Sequence, residues 1–138
     1  MAEKRIVVNQ IRTPDGTVLV SRHRHDYVTH VDKNGLTYMV DGGQDYLRRN
    51  VHEEAPYEEL TIYDDAAFEL IREHYCRGGR GKDGTGPLTW VPIAKMSDAW
   101  LQACILYNEE RGLVDSLANE MYKEELNYRA QNSIFIED

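Results

Sequence analysis

Cysteine is scarce in this chain. Of its 138 residues only Cys76 and Cys104 are cysteines, and they form no CxxC pair. Two isolated thiols do not make a disulfide framework, and we expect both to be reduced packing groups. The chain is long enough to bury a core without such links, so we expect one domain over residues 1–138.

Long apolar runs are missing as well. The longest, residues 6–8 and 103–107, are far shorter than the roughly 20 residues that cross a bilayer. The chain does not begin with a basic segment followed by an apolar one, as a secretion signal would. We therefore expect a protein that does not bind membranes and stays in the cytoplasm where it is made.

Positive charge is in the minority and is unevenly placed. The net charge is −8, but residues 1–52 carry eight Lys and Arg against six Asp and Glu, whereas residues 53–138 carry eight against eighteen. A negative protein repels the phosphates of nucleic acids, so nonspecific nucleic-acid binding is not expected. Residues 53–69 hold acidic residues and no basic one, which is typical of a solvated face.

The order of local patterns predicts an α+β fold. Asn34-Gly35 is a strong hairpin signal because both residues accept the positive φ angles of a type I′ turn. We expect an antiparallel β-sheet from the N-terminal half, with about three helices, mainly C-terminal, packed on it. The expected strands are residues 6–11, 17–21, 25–32, 36–41, 60–63 and 88–93.

Three helices are predicted. The first covers residues 65–76 with Asp64 or Asp65 as its N-cap, and the second runs from the cap Ser97 to Gly112. The third covers residues 114–130, with a thin apolar stripe and a highly charged solvent face. Such a helix packs on a sheet or pairs in a dimer, so we expect a homo-oligomer.

Two polar stretches stand out near the N-terminal strands. Residues 21–27 read SRHRHDY and residues 40–49 read VDGGQDYLRR, which together hold two His, four Arg and three Asp. His23 and His25 would project from one face of a strand, which is the spacing of many metal-binding strands. A zinc site and a metal-assisted phosphodiesterase or hydrolase are therefore alternatives. Ordinary imidazoles bonded to neighbouring Asp are favoured, and no metal, cofactor or catalytic residue is expected.

A phosphate-binding surface fits these stretches better. Guanidinium groups bind phosphate through paired hydrogen bonds, and tyrosine rings stack on bases. Residues 77–86 form a glycine-rich loop whose bare backbone can approach a phosphate closely. It is not a P-loop, because Lys82 is followed by Asp83. The predicted ligand-binding residues are Arg24, Tyr46, Arg48, Arg49, Arg80 and Lys82.

Three ordered motifs carry a family resemblance: HRHDYVTHVDKNGLTYMVDGGQDYLRR, YEELTIYDD and RGKDGTGPLTWVPIAKMSDAWLQA. Over nearly its whole length the chain resembles a family of small, uncharacterised proteins encoded by tailed bacteriophages. Relatives of the first motif look similar to zinc-ribbon-like phage proteins with CxxCG before SKHRHD and CxCG before VDGG. The corresponding residues 9–12 and 30–32 contain no Cys, so a four-Cys zinc site is ruled out here. The resemblance implies a viral origin and supplies no activity.

The implied origin and the arginine-rich stretches together suggest a function. We expect a phage counter-defence protein in the host cytoplasm that sequesters a phosphate-bearing, nucleotide-type immune signal without cleaving it. The alternative is an acidic inhibitor that docks on a host defence protein through residues 53–69, with Trp90 or Trp100 as an anchor. Replacing Arg48 and Arg49 together with Ala is expected to abolish ligand binding and leave the fold intact, because both are expected to be exposed.

Overall fold

A computed structural model describes residues 4–81 and 83–138, which form two compact units. The first unit ends at Ala67, and the second covers Phe68–Asp138. Antiparallel sheets lie mainly in the N-terminal half and the described helices lie in the second unit, so the predicted α+β class is confirmed. One domain over residues 1–138 stays a prediction. No helix in the described residues is long and apolar enough to cross a membrane.

The first unit is built on two sheets. The strands are β1 (Ile6–Arg12), β2 (Val18–Ser21), β3 (Val28–Val31), β4 (Thr37–Asp41), β5 (Arg48–Arg49), β6 (Glu58–Glu59) and β7 (Ile62–Tyr63). β1 pairs antiparallel with β2 and also with β6 and β7, while β4 lies between β3 and β5. Tyr38 and Val40 of β4 pack with Ile11 and Leu19 in one buried cluster, so the core of this unit joins both sheets.

The turn between β3 and β4 confirms the predicted hairpin but not its type. Gly35 has φ 84°, whereas Asn34 is not among the residues with positive φ, so the turn is not type I′. The Asp32 carboxylate accepts hydrogen bonds from the backbone N–H groups of Asn34 and Leu36, both at 2.9 Å. This side chain therefore holds the loop in a wider turn that needs only one glycine in the left-handed region.

The second unit combines a β-hairpin with helices. Its elements are α1 (Phe68–His74), β8 (Cys76–Gly79), β9 (Thr89–Pro92), a short 3-10 helix (Ile93–Lys95), α2 (Asp98–Glu110) and α3 (Leu117–Asn132). β8 pairs antiparallel with β9. The buried apolar residues of this unit are Ile71, Tyr75, Ile93, Ala94, Met96, Leu101, Cys104, Met121 and Tyr122.

Several predicted helix ends are wrong for identifiable reasons. Asp64 does not cap α1, because its carboxylate accepts the backbone N–H and the Nε–H of Arg5 at 3.1 and 2.8 Å. α3 begins three residues later than expected because Ser116 is its N-cap and accepts the N–H of Asn119 at 3.2 Å. The Ser97 cap of α2 is confirmed, since its side chain accepts the N–H of Trp100 at 3.0 Å.

The buried face of α3 contains an ionic network. Glu125 and Arg129 are 0 % and 1 % exposed, one turn apart on the helix, and their Oε2 and Nε atoms are 2.7 Å apart. Arg72 of α1 donates from Nε and Nη2 to the two oxygens of Glu125, each at 2.8 Å. Arg129 also reaches Asp98 at 2.6 Å. The network therefore links α1, α2 and α3.

Replacing Glu125 with Gln should destabilise the protein by about 3–5 kcal/mol, because Arg72 and Arg129 would lose their shared carboxylate while still buried. Urea denaturation followed by circular dichroism measures this. The matched control is Lys123→Ala in the same helix, which breaks the exposed Lys123–Glu109 pair and should cost no more than about 1 kcal/mol. Equal losses in the two variants would contradict the structural role of the network.

A polar link also joins the two sheets of the first unit. Asp15, in the turn between β1 and β2, lies with Oδ2 2.9 Å from Nε2 of His30 in β3. The Thr13 hydroxyl, His30 and the backbone N–H of Thr17 all hydrogen-bond the Asp15 carboxylate. The hydrogen bond from Thr13, and to a smaller extent that from His30, holds the pKa of Asp15 well below its ordinary value.

A lowered carboxylate pKa makes stability depend on acid pH. The contribution of Asp15 should be complete above its ordinary pKa of about 4 and should be lost as the pH falls toward the lower pKa of the folded state. Asp15→Asn should therefore flatten the acid side of a curve of unfolding free energy against pH, measured by urea denaturation. Asp115→Asn, at an exposed position, is the control, and an unchanged acid side in Asp15→Asn would contradict the assignment.

Candidate functional site

The two polar stretches meet in one structural feature of the first unit. Residues 22–27 connect β2 to β3, and residues 42–47 connect β4 to β5. We call these two connections the double turn. The structure therefore brings together the N-terminal stretches that the sequence singled out.

Backbone contact locks the double turn. The Ser21 hydroxyl donates to the carbonyl of Asp26 at 2.6 Å and accepts the N–H of Gly43 at 3.0 Å, so one side chain bonds both turns. A Cβ on Gly43 would lie 2.3 Å from the carbonyl carbon of His23. Gly42 and Gly43 have φ angles of 106° and 53°, which glycine adopts without strain.

A buried asparagine holds the second turn from beneath. Asn9 of β1 is 0 % exposed, and its Nδ2 donates to the carbonyl oxygens of Asp41, Gly43 and Tyr46 at 3.0, 3.0 and 3.2 Å. Asn9 is not among the predicted site residues. The sequence does indicate its structural role, because a polar amide within a strand that is otherwise mostly apolar needs buried partners.

Arg24 and Tyr46 are exposed on the double turn, and Arg48 is exposed in β5, directly after it. The side chains of Arg24 and Arg48 are 68 % and 65 % exposed, and each makes a loose ion pair. Arg24 lies 3.5 Å from Asp45, and Arg48 lies 3.8 Å from Asp41. Exposed ion pairs contribute about 0–1 kcal/mol, so an incoming anion can replace these carboxylates at little cost.

The Tyr46 hydroxyl lies beside the ion pair of Arg48 and Asp41. It donates to Oδ2 of Asp41 at 3.4 Å, the same oxygen that Arg48 approaches. The ring is 43 % exposed while its hydroxyl is held, so its orientation is restrained and part of it is open to solvent. An aromatic ring fixed in this way can stack on a planar group.

The expectation that Arg49 is exposed is wrong. Its side chain is 6 % exposed, and its Nη2 donates to Asn9 Oδ1 at 2.9 Å and to Thr61 Oγ1 at 2.8 Å. Its guanidinium also contacts the carboxylate of Glu59 at 3.0 and 3.1 Å. These partners lie at least ten residues away along the chain, and they make Arg49 a structural link between β5 and the sheet of β1. A ligand contact by Arg49 stays a prediction.

His23 and His25 do not share a strand face as predicted, because β3 begins only at Val28 and both residues lie in the first turn. The backbone N–H of His25 donates to Nδ1 of His23 at 3.3 Å. Within residues 4–81 and 83–138, no three His, Cys, Asp or Glu side chains are placed to hold a metal ion together.

The remaining predicted site residues belong to the second unit, so the double turn does not include them. Arg80 is exposed, and its backbone carbonyl accepts the N–H of Gly86 at 2.8 Å, which closes a short loop. Lys82 lies outside the described residues. The glycine-rich loop is also shorter than predicted, since residues 77–79 belong to β8, where Gly78 pairs with Trp90.

Part of the acidic segment is neutralised within the first unit. Glu58 pairs with Arg12 at 2.8 Å, Glu59 with Arg49, Asp64 with Arg5 and Asp65 with Lys4. Basic residues of the N-terminal half thus contact acidic residues of this segment. The acidic side chains of this segment are largely exposed, as expected of a solvated face, and docking of the segment on a host protein stays a prediction.

Replacing Gly43 with Ala should open the double turn. The added Cβ meets the His23 backbone and also requires a positive φ, whereas Ala at Gly35 requires a positive φ in open space. Gly35→Ala should cost about 1 kcal/mol, and Gly43→Ala clearly more, in urea denaturation. Amide NMR shifts should move at residues 21–27 only for Gly43→Ala. Equal effects of the two substitutions would contradict backbone contact between the turns.

Comparisons of this chain with protein-family models, with curated proteins and with solved structures found no match. The resemblance to tailed-phage proteins therefore stays a prediction.

Proposed function

We propose that this protein binds a phosphate-bearing, nucleotide-type small ligand on the double turn and holds it without cleaving it. The observation that carries the proposal is the placement of two exposed arginines at one backbone-locked feature. Arg24 lies on the first turn of the double turn, and Arg48 lies in β5 directly after the second turn, which also carries the partly exposed Tyr46. In the viral setting that the sequence resemblance implies, such capture would remove a nucleotide immune signal in the host cytoplasm.

Rigid support makes exposed arginines useful for binding. A guanidinium offers a planar set of donors that matches the oxygens of a phosphate. The backbones that carry Arg24 and Arg48 are fixed by Ser21, Gly43 and Asn9, so binding has to order only the side chains themselves. In this arrangement the two arginines contact phosphate oxygens and Tyr46 stacks on a base or other planar group.

Arg49 is assigned a supporting role in this proposal. Its guanidinium is committed to Asn9, Glu59 and Thr61, so it positions β5 and the arginine before it. We therefore no longer expect the fold to stay intact when Arg48 and Arg49 are replaced together with Ala. Arg49→Ala alone should destabilise the fold by about 1–3 kcal/mol, because Asn9 loses a buried partner.

Arg24→Ala and Arg48→Ala should each weaken ligand binding by about tenfold to hundredfold, the loss of one charge-assisted contact. Unfolding free energies should stay within about 0.5 kcal/mol of the parent protein, because both side chains are exposed. Isothermal titration calorimetry with cyclic and linear adenine nucleotides, including ADP-ribose, measures the affinities. Arg12→Ala is the matched control, since Arg12 is an exposed, ion-paired arginine at the other end of the β1–β2 ladder from Ser21.

Two results would overturn the proposal. One is the absence of binding heat and of any thermal shift with every nucleotide tested. The other is recovery of cleaved nucleotide after incubation, which would favour the hydrolase alternative. Chromatography of the small molecules released by heating the complex separates intact ligand from products.

A further inference from the structure

The second unit contains a half-buried cation, Arg77, that has no acidic partner among the described residues. Arg77 of β8 donates from Nη1 to the hydroxyl of Tyr122 in α3 at 3.0 Å, and its guanidinium carbon lies 5.9 Å from the centre of that ring. Within residues 4–81 and 83–138, no carboxylate forms an ion pair with it. The other arginines buried in this unit, Arg72 and Arg129, both contact carboxylates.

The titratable groups around Arg77 are neutral near pH 7. Burial is the largest influence on the pKa of Arg77 and works to lower it, but Tyr122, Cys104 and Tyr75 together raise it above its ordinary value. Burial in turn raises the pKa of each of these three groups. Arg77 therefore carries its charge among groups that are neutral near pH 7, and in the described residues no carboxylate pairs with it, so an anion could serve as its partner.

The Tyr122 hydroxyl has a proton to offer to such an anion. It accepts the hydrogen bond from Arg77, and in the described part of the chain it donates to no protein acceptor. Accepting a bond from a cation makes a phenol O–H a stronger donor. Arg77 and Tyr122 thus supply two donors on adjacent groups.

An aromatic surface lies on the same side of the hairpin. Side chains alternate along a strand, so Arg77 and position 79 share one face of β8. A Cβ on Gly79 would lie 3.3 Å from Cζ2 of Trp100, so the indole occupies the space that a side chain would fill. Trp100 and Cys104 are one turn apart on α2, and this places the Trp100 face of the helix toward Arg77.

We propose that Arg77 and the Tyr122 hydroxyl form an oxyanion-binding site beside Trp100, which takes a phosphate or carboxylate group of a small molecule. The guanidinium supplies charge and paired donors, and the phenol supplies one further donor. Glycine at position 79 leaves room for the indole next to the site. The site lies wholly within the second unit and does not depend on the double turn.

Fluorescence titration tests this site directly. In a Trp90→Phe background Trp100 is the single tryptophan, and its emission should change on addition of inorganic phosphate, phenyl phosphate or benzoate. Comparing phosphate with benzoate shows whether the site prefers a phosphate or a carboxylate. Stronger binding of phenyl phosphate than of inorganic phosphate would show that the indole contributes. A wild-type-like protein that responds to none of the three would overturn the proposal.

Matched variants separate the site from general charge attraction. Tyr122→Phe keeps the ring and removes one hydroxyl, and it should weaken binding by about tenfold. Arg77→Met keeps the aliphatic stem and should abolish binding. Arg111→Ala, which removes an exposed arginine stacked on Tyr107 in the same unit, should bind as the parent does.

Unchanged affinity in Tyr122→Phe, or an equal loss in Arg111→Ala, would contradict the site. If Arg77→Met does not fold, Tyr122→Phe alone decides, because it leaves the packing of the ring in place.

Discussion

The side-chain amide of Asn9 is the interaction on which the first unit depends. It lies in the middle of β1 with no exposure, donates to three carbonyl oxygens of residues 41–46 and accepts from Arg49. A buried amide is tolerated only when its hydrogen bonds are made, so Asn9 favours one path of the chain between β4 and β5 and opposes others. The position of the double turn is therefore set from the core.

In the second unit, buried charged side chains likewise need partners. Arg129 reaches the carboxylates of Glu125 and Asp98 and the carbonyl oxygens of Ile93 and Met96, which fixes the 3-10 helix against the start of α2. Buried ion pairs add little net stability compared with apolar packing, because both charges lose their water. We infer that this network instead selects the helix register, since a shift of α3 by one residue would leave the guanidinium buried and unpaired.

Local signals allowed the α+β class, the Asn34-Gly35 hairpin and the Ser97 cap to be predicted, because each depends on residues that are neighbours in the sequence. The buried charges could not be predicted in this way. Arg49 and Arg129 find partners 10 to 40 residues away, and a charged residue is exposed by default. The β8 strand was missed because glycines at positions 78 and 79 favour a loop, and only pairing with β9 makes them a strand.

The same long-range pairing changes how the charge of the protein acts on a ligand. The acidic segment after residue 53 meets the N-terminal arginines and lysine, so part of the charge asymmetry is compensated within the first unit. The net charge of −8 still repels an extended polyanion, whose many phosphates sample the whole surface. A compact anion experiences chiefly the groups within about 10 Å at moderate ionic strength. In the proposed function, the exposed Arg24 and Arg48 bind a small phosphate-bearing ligand, and the overall charge adds to the discrimination against nucleic acid.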